Sequence, residues 1–308
     1  MELNKIITGD CTAVLKDFEV ASIDAVITDI PYGIGYEDWD VLHNNTNSAY
    51  GGSSAGQTKG GVLFKRRGKP LNGWSDADRE RSKEYQSWCQ SWAEECYRVL
   101  KPGASCLIFA GRRFAPRCVV ALEDLGFTFK DMLSWEKDRA AHRAQRLSAI
   151  YERRGDERNA EKWRGWRVAN TRPIFEPILW FQKPYRIGGT IADNVLEYGV
   201  GAWNQEAFDH FCPNSEKRKQ YSNSIAFGAE KSDSGLHPTQ KPLKLMEFLV
   251  ELVVPEEGIV LDPFCGSGTT CLAAQRLNRQ FIGIECDELM VQVAANRIES
   301  ESSVLTLF

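Results

Sequence analysis

Leu261-Asp-Pro-Phe-Cys-Gly-Ser-Gly-Thr-Thr270 leaves an apolar run at residues 258–261 and opens a helix-patterned stretch at 269–277. Gly266 and Gly268 let the backbone turn tightly and approach a ligand with no Cβ in the way. The helix that follows presents free N–H groups and a positive dipole end, both suited to a carboxylate. Glu285 ends the next apolar run, Phe281-Ile-Gly-Ile-Glu285, where an acid can accept hydrogen bonds from ribose hydroxyls. Strand, glycine turn, helix and strand-end acid together read as a site for a ribose-containing cofactor. Its candidate residues are Asp262, Phe264, Cys265, Gly266, Ser267 and Gly268, with Thr269, Glu285 and Cys286 beyond the turn. A Gly-x-Gly alone also serves as a plain structural turn. No Gly-Lys-Ser/Thr follows, which excludes a nucleotide P-loop, and a dinucleotide Gly-x-Gly-x-x-Gly fails at Cys271. A branched side chain at Gly268 is expected to block cofactor binding.

The same alternation runs outward in both directions. Residues 11–18, 83–100, 114–125, 243–253 and 287–299 carry helical periodicity, while 24–28, 106–110, 127–135 and 174–181 read as strands. Pro177 inside the last of these hints at an edge strand. Alternating short strands and helices predict an α/β fold, a doubly wound and mostly parallel sheet with ligands at the strands' carboxyl ends. Two stretches break the pattern. Residues 51–73 are rich in Gly, Ser and basic residues and read as a loop; residues 139–221 are basic and aromatic and read as an inserted subdomain.

The 308 residues are 43% hydrophobic and 26% charged, the balance of a soluble globular protein. No apolar run approaches membrane-helix length, and Met1-Glu-Leu-Asn-Lys5 shows no signal-peptide character, so a cytoplasmic chain is expected. Nine cysteines without a Cys-x-x-Cys pair read as reduced, buried thiols, and no metal-ligand spacing appears. The net charge of −4 hides an asymmetry: residues 139–186 hold twelve Lys/Arg against five Asp/Glu. That fits a basic module for a polyanion on an acidic body, and equally a solvated charged surface.

A second motif, Asp29-Ile-Pro-Tyr-Gly33, also ends an apolar strand. Asp29 can accept a hydrogen bond from an amino group, and Pro31 holds the backbone extended so that the Ile30 carbonyl is a second acceptor. Tyr32 supplies an aromatic face. Two acceptors and one π-face suit the amino edge of a nucleobase; a simple strand-to-turn exit uses the same residue types. A third motif, Leu236-His-Pro-Thr-Gln-Lys-Pro242, places Thr239 and Lys241 to bind a carboxylate near the cofactor, with His237 a structural residue.

Together these residues resemble amino-group DNA methyltransferases. Asp29-Ile-Pro-Tyr is similar to that family's Asp-Pro-Pro-Tyr motif and Phe264-Cys-Gly-Ser-Gly to its Phe-x-Gly-x-Gly motif. His237-Pro-Thr-Gln-Lys-Pro resembles the segment that starts its cofactor half, and Gly9-Asp10-Cys11 the opening of its chains. Catalytic motif first and cofactor motif last, with a basic insert between, resembles the β-class arrangement. Ile30 departs from the family's usual proline; the resemblance implies that this position acts through its carbonyl.

The resemblance implies a Rossmann-like methyltransferase fold, S-adenosyl-L-methionine as cofactor with Asp10, Cys11 and Asp29 joining its site, and double-stranded DNA as partner. It allows a homodimer. It implies direct methyl transfer to the exocyclic amino group of a flipped base. Aspartate at the first motif position resembles the adenine-N6 members; cytosine-N4 is the alternative, and a catalytically inactive DNA-binding scaffold a further one. Target reading then falls to the insert: Arg139, Arg143, Arg146, Arg153 and Arg154, then Trp163, Arg164, Trp166 and Arg167, against the competing reading of an arginine-rich helix surface. Trp135 is either a second face for the flipped base or plain core. The expected organisation is a catalytic half at 1–136, a target-recognition insert at 137–236 with a returning strand near 174–181, a cofactor half at 237–300 and a tail at 301–308.

Overall fold

A computed structural model describes residues 2–33, 76–138, 144–168, 171–212, 220–228 and 240–305. The expected 51–73 loop lies outside the described residues. The main sheet is built from β1 (Lys5–Thr8), β2 (Ile23–Asp29), β3 (Leu100–Phe109) and β4 (Thr128–Glu136) of the first half. A separate ribbon of β5 (Gln145–Arg146) and β6 (Arg167–Val168) intervenes before β7 (Phe175–Gln182), β8 (Ser224–Ala226), β9 (Ile259–Asp262) and β10 (Gln280–Glu285). The eight sheet strands run in the order β1-β10-β9-β2-β3-β7-β4-β8. Neighbours are parallel throughout except β7, which is antiparallel to both β3 and β4. The doubly wound, mostly parallel sheet read from the alternation is the fold observed.

The helices are α1 (Cys11–Val14), α2 (Asp76–Val99), α3 (Ala115–Asp124), α4 (Leu147–Arg153) and α5 (Glu157–Lys162), then α6 (Ile191–Tyr198), α7 (Glu206–Phe211), α8 (Leu243–Val253), α9 (Thr269–Arg276) and α10 (Glu288–Leu305). Strand β2 shows why helices must cover both faces. Its side chains alternate, and no face of it meets water: Val26 enters the core under α2 and α3, while Ala25 and Ile27 enter the core under α8 and α9. Tyr85 and Trp92 anchor the first core; Phe248, ringed by Phe208, Phe211 and Phe227, anchors the second. No helix among the described residues is long and apolar enough to cross a membrane. The nine cysteines are free, and seven are buried.

One expectation changes. Strand β7 is central, not an edge, despite Pro177. Ala110 N–H donates to the Pro177 carbonyl at 3.3 Å, and Ala110 is the first residue past the end of β3. The imino nitrogen therefore faces a place where β3 has stopped, so no ladder hydrogen bond is lost. Within the expected insert, the returning strand read near 174–181 is β7. Of the insert's described residues, 144–168 form the unit outside the main sheet. Beyond them β7 joins the sheet, and α6 is tied to it by the buried Asn194 amide, which donates to Pro102 O at 2.9 Å and Val200 O at 2.8 Å.

Candidate active site

Parallel pairing brings the two motifs together. Ala25 lies opposite Val260 and Val26 opposite Leu261, so β2 and β9 end side by side at the sheet's carboxyl edge. There the Thr28 hydroxyl donates to Asp262 Oδ1 at 2.7 Å across 234 residues of sequence. One cavity of about 310 Å³ opens at this edge. Asp29 and Pro31 line it from the early motif, Phe264, Gly266 and Ser267 from the late one. Asp262, Cys265, Thr269, Glu285, Cys286 and Lys241 complete the part read from sequence.

The glycine turn is held from below. Asp262 accepts from Phe264 N–H at 3.1 Å and from the Thr270 hydroxyl at 2.5 Å, and burial pushes its carboxyl up to about 6. Glu285 accepts the Gly266 N–H at 2.9 Å and the Asp287 N–H at 3.0 Å, which fixes the turn against the end of β10. Both glycines are left-handed, Gly266 at φ +48° and Gly268 at φ +76°. Their surroundings differ. A Cβ on Gly268 would stand 2.9 Å from the Ala294 Cβ of α10, whereas one on Gly266 would meet nothing within 4 Å. Gly268 is there for helix packing; Gly266 is the glycine open to the cavity. The Thr269 hydroxyl is engaged by Arg297 at 2.9 Å.

At the early motif, four charges are packed together. Lys241, 7% exposed, donates to Asp29 Oδ2, lies 3.2 Å from Glu176 Oε1 and reaches the Tyr32 hydroxyl at 3.3 Å. Glu176 also accepts from the Tyr32 hydroxyl and from Lys137. Burial works to raise the Glu176 carboxyl, but Lys241 and Lys137 outweigh it and bring it down to about 2. Burial pushes Asp29 above the usual carboxylate range, against the pull of Lys241. Two polar side chains on the cavity stay unsatisfied: Asp29 Oδ1 and the Gln240 amide have no hydrogen-bond partner among the described residues. Buried polar atoms of this kind call for a ligand that completes them.

Lys241 lines the cavity, and the carboxylate that it meets there is Asp29; Glu176 and Tyr32 engage the other donors of its three-donor ammonium. Other expected residues stand elsewhere. Asp10 caps α1 through Thr12 N–H at 2.9 Å, and Cys11 is 5% exposed in the core with its thiol pushed up to about 12 by burial. Neither lines the cavity, although both follow β1, whose Thr8 pairs with Glu285. The Ile30 side chain is buried in the core, the residue being 2% exposed, which leaves its expected role to the backbone carbonyl alone, and the Pro31 carbonyl accepts from the Tyr85 hydroxyl at 3.2 Å. The Tyr32 ring backs onto Gly111, where a Cβ would come within 3.0 Å of the Tyr32 side chain. Trp135 is core, not a second stacking face: it is 6% exposed, its indole N–H donates to Phe227 O at 2.9 Å, and it meets Phe109 edge-on. Thr239 and His237 lie outside the described residues.

Sequence reading missed Glu176, Lys137 and Gln240. A single acid inside the apolar run 175–182 was the available signal for Glu176. Gln240 stood within a quoted motif with no role attached to it.

In the arm at 144–168, Arg146 pairs with Arg167 across the ribbon, and Arg153, Arg154 and Arg164 are exposed on or beside α4 and α5. Trp163 meets Trp166 edge-on at 5.5 Å, leaving Trp166 62% exposed. Arg164 is paired with Glu161. Arg139 and Arg143 lie outside the described residues.

Comparison with known proteins gives a consistent set of matches. The DNA methylase family profile for N6 and N4 enzymes matches residues 23–296. The type II methyltransferase M.HindIII of Haemophilus influenzae is 56% identical over 298 residues, covering 97% of this chain and 96% of its own length. Among solved structures, the cytosine-N4-specific PvuII DNA methyltransferase superposes with a TM-score of 0.59 at 17% identity, over 95% of this chain and 85% of that one. The M1.HpyAVI–SAM complex superposes at 0.52 and 22% identity, over 96% of this chain and 98% of that one. At these identities the two structures speak to the fold.

Proposed function

The chain belongs to the DNA methylase family, and from that premise we propose that it methylates the exocyclic amino group of adenine N6 in duplex DNA, using S-adenosyl-L-methionine. The observation that carries this reading is the single cavity shared by Asp29, with its unsatisfied Oδ1, and the Gly266 turn. Similarity to a type II methyltransferase supports a modification role beside a restriction system.

The residues present fit the cofactor. Glu285 stands at the end of β10 where ribose hydroxyls would be held, the Gly266 face is open, and the Gln240 amide awaits a polar partner. Bound there, the cofactor supplies an electrophilic methyl group. The chain's own residues must make a poor nucleophile competent, because the amino lone pair is delocalised into the base. Asp29 Oδ1 accepts an amino hydrogen, and the Ile30 carbonyl is the second acceptor; both favour a more tetrahedral nitrogen and the positive charge it develops. The proton departs after transfer, towards Asp29 or solvent. The Tyr32 ring offers the stacking face for a flipped base and offsets part of the few kcal/mol that flipping requires.

Adenine is favoured by aspartate at position 29. Cytosine N4 stands as the second reading because a solved relative in fold is named for that specificity. Digestion of duplex DNA to nucleosides after reaction with methyl-labelled cofactor separates them. Label in N6-methyladenine is expected; label in N4-methylcytosine would overturn the base assignment, and no label in DNA the activity.

The arm at 144–168 is proposed to hold the DNA backbone. Converting Arg146 and Arg154 to alanine should lower the slope of log affinity against log salt by about one for each phosphate that is no longer neutralised, while turnover on saturating DNA stays. An unchanged slope in fluorescence-anisotropy titrations would place the DNA elsewhere.

A further inference from the structure

Lys241 and Glu176 have no part in the transfer as derived so far, yet they are among the most buried charges of the described residues, each 7% exposed. Charges are kept at such depth only when they are paired. The pairing is lopsided: Lys241 occupies Asp29 Oδ2, and Oδ1 is left on the cavity without a partner among the described residues. Glu176, brought in on β7, grips Lys241 from the far side and also accepts the Tyr32 hydroxyl.

We propose that Lys241 and Glu176 are positioning residues: Lys241 pins Asp29 through Oδ2 as an anion with Oδ1 facing the substrate amino group, and Glu176 holds Lys241 and the Tyr32 ring in register with it. The inference rests on the methyl transfer assigned to Asp29. Pinning one oxygen removes rotation of the carboxylate, so the other meets an incoming N–H at a set place. Glu176 thereby links the acceptor and the stacking face, although it lies 144 residues from Tyr32 in sequence.

The groups around Asp29 fix the sign of the test. Tyr32 faces it from its own segment, uncharged Phe109 is its partner on β3, Asp262 stands on β9, Lys241 comes from the segment before α8, and Glu176 from β7 with Lys137 behind it. Burial raises the Asp29 carboxyl, Lys241 lowers it, and Glu176 raises it. Removing the Lys241 charge must therefore move Asp29 up, and removing the Glu176 charge must move it down. A side chain present only for its volume would move neither, and an ion pair that served only the fold would leave the pH profile of turnover where it stands.

The experiment is a pH titration of the full chain labelled at aspartate Cγ, followed by carbon NMR, with Asp29→Asn identifying the resonance. Lys241→Met should shift the Asp29 titration upward by roughly one to three units, the range for loss of an adjacent opposite charge. Glu176→Gln should shift it downward, and Lys241→Arg should restore it nearly to the starting position. The acid limb of kcat/KM on DNA should follow each shift. Titrations that stay put, or that move in one direction in both variants, would overturn the inference. Should Lys241→Met fail to fold, Glu176→Gln decides alone: a downward shift supports the inference, and an unmoved or upward one overturns it. Opposite shifts in a chain inactive on DNA would sink the methyl-transfer reading and leave the charge network standing.

Discussion

Asp29→Ala is expected to lower methyl transfer to DNA by about a thousandfold or more while cofactor affinity stays within a few-fold. Removing a single group that stabilises transition-state charge typically lowers turnover by about 10²–10³. Here the loss is compounded, because Asp29 Oδ1 is an unsatisfied acceptor on the cavity among the described residues, and the neighbouring carboxylate Glu176 is engaged by Lys241, Tyr32 and Lys137 and so not free to replace it. The substitution leaves Lys241 still paired with Glu176, so the buried ammonium is not orphaned and the fold should hold. Single-turnover rates beside calorimetric cofactor binding would measure the two effects separately. Retained turnover in this variant would refute the catalytic role of the carboxylate.

The second large effect concerns the two glycines of the turn, and here the structure reverses the expectation drawn from sequence. Gly268→Val should unfold the domain more than it blocks the cavity. Its Cβ would stand 2.9 Å from Ala294 Cβ, and its left-handed φ of +76° is hostile to a branched side chain. Overpacking and backbone strain together amount to about 2–5 kcal/mol. At Gly266 a Cβ would meet no atom within 4 Å, and the residue lines the cavity, so the valine of Gly266→Val would intrude there instead. It should reduce cofactor affinity by tenfold or more with a smaller stability loss, about 1–2 kcal/mol from φ alone. Urea unfolding and calorimetry on both variants would show this crossed pattern. A greater stability loss in Gly266→Val than in Gly268→Val would contradict the division of labour.

The centre of the fold was legible because its long inner strands carry their own signal, whereas the three-residue β8 and the two-residue β5 and β6 are too short to show one. The runs ending in Asp29, Asp262 and Glu285 are short and apolar on both faces, as buried parallel strands must be, and each is followed by turn chemistry. The cavity was legible for the same reason: its walls come from strand ends that the sequence marks with Asp, Pro and Gly. Pro177 misled because proline forbids one hydrogen bond, and sequence does not show which side of a strand can spare it. The charge cluster was invisible because its members are brought together by pairing alone. Lys241 meets Asp29 across 212 residues, and Glu176 meets Tyr32 across 144, so no local spacing records either contact. For Lys241 the sequence suggested a carboxylate partner near the cofactor without saying which; the pairing of β2 beside β9 makes it Asp29. Trp135 illustrates the converse, since an aromatic at a strand end serves core and cleft equally well until its indole partner is known.

The end of β2 and the turn after β9 share one cleft, in which methyl donor and acceptor are proposed to meet. A crystal structure with a non-reactive cofactor analogue and a duplex bearing a target base tests it most directly. The analogue should be seated against Gly266 and Glu285, and the base amino group within hydrogen-bond reach of Asp29 Oδ1, with the donor position about 3–3.5 Å from the amino nitrogen. An analogue bound away from Asp29, or a base held where Asp29 cannot touch its amino group, would contradict it.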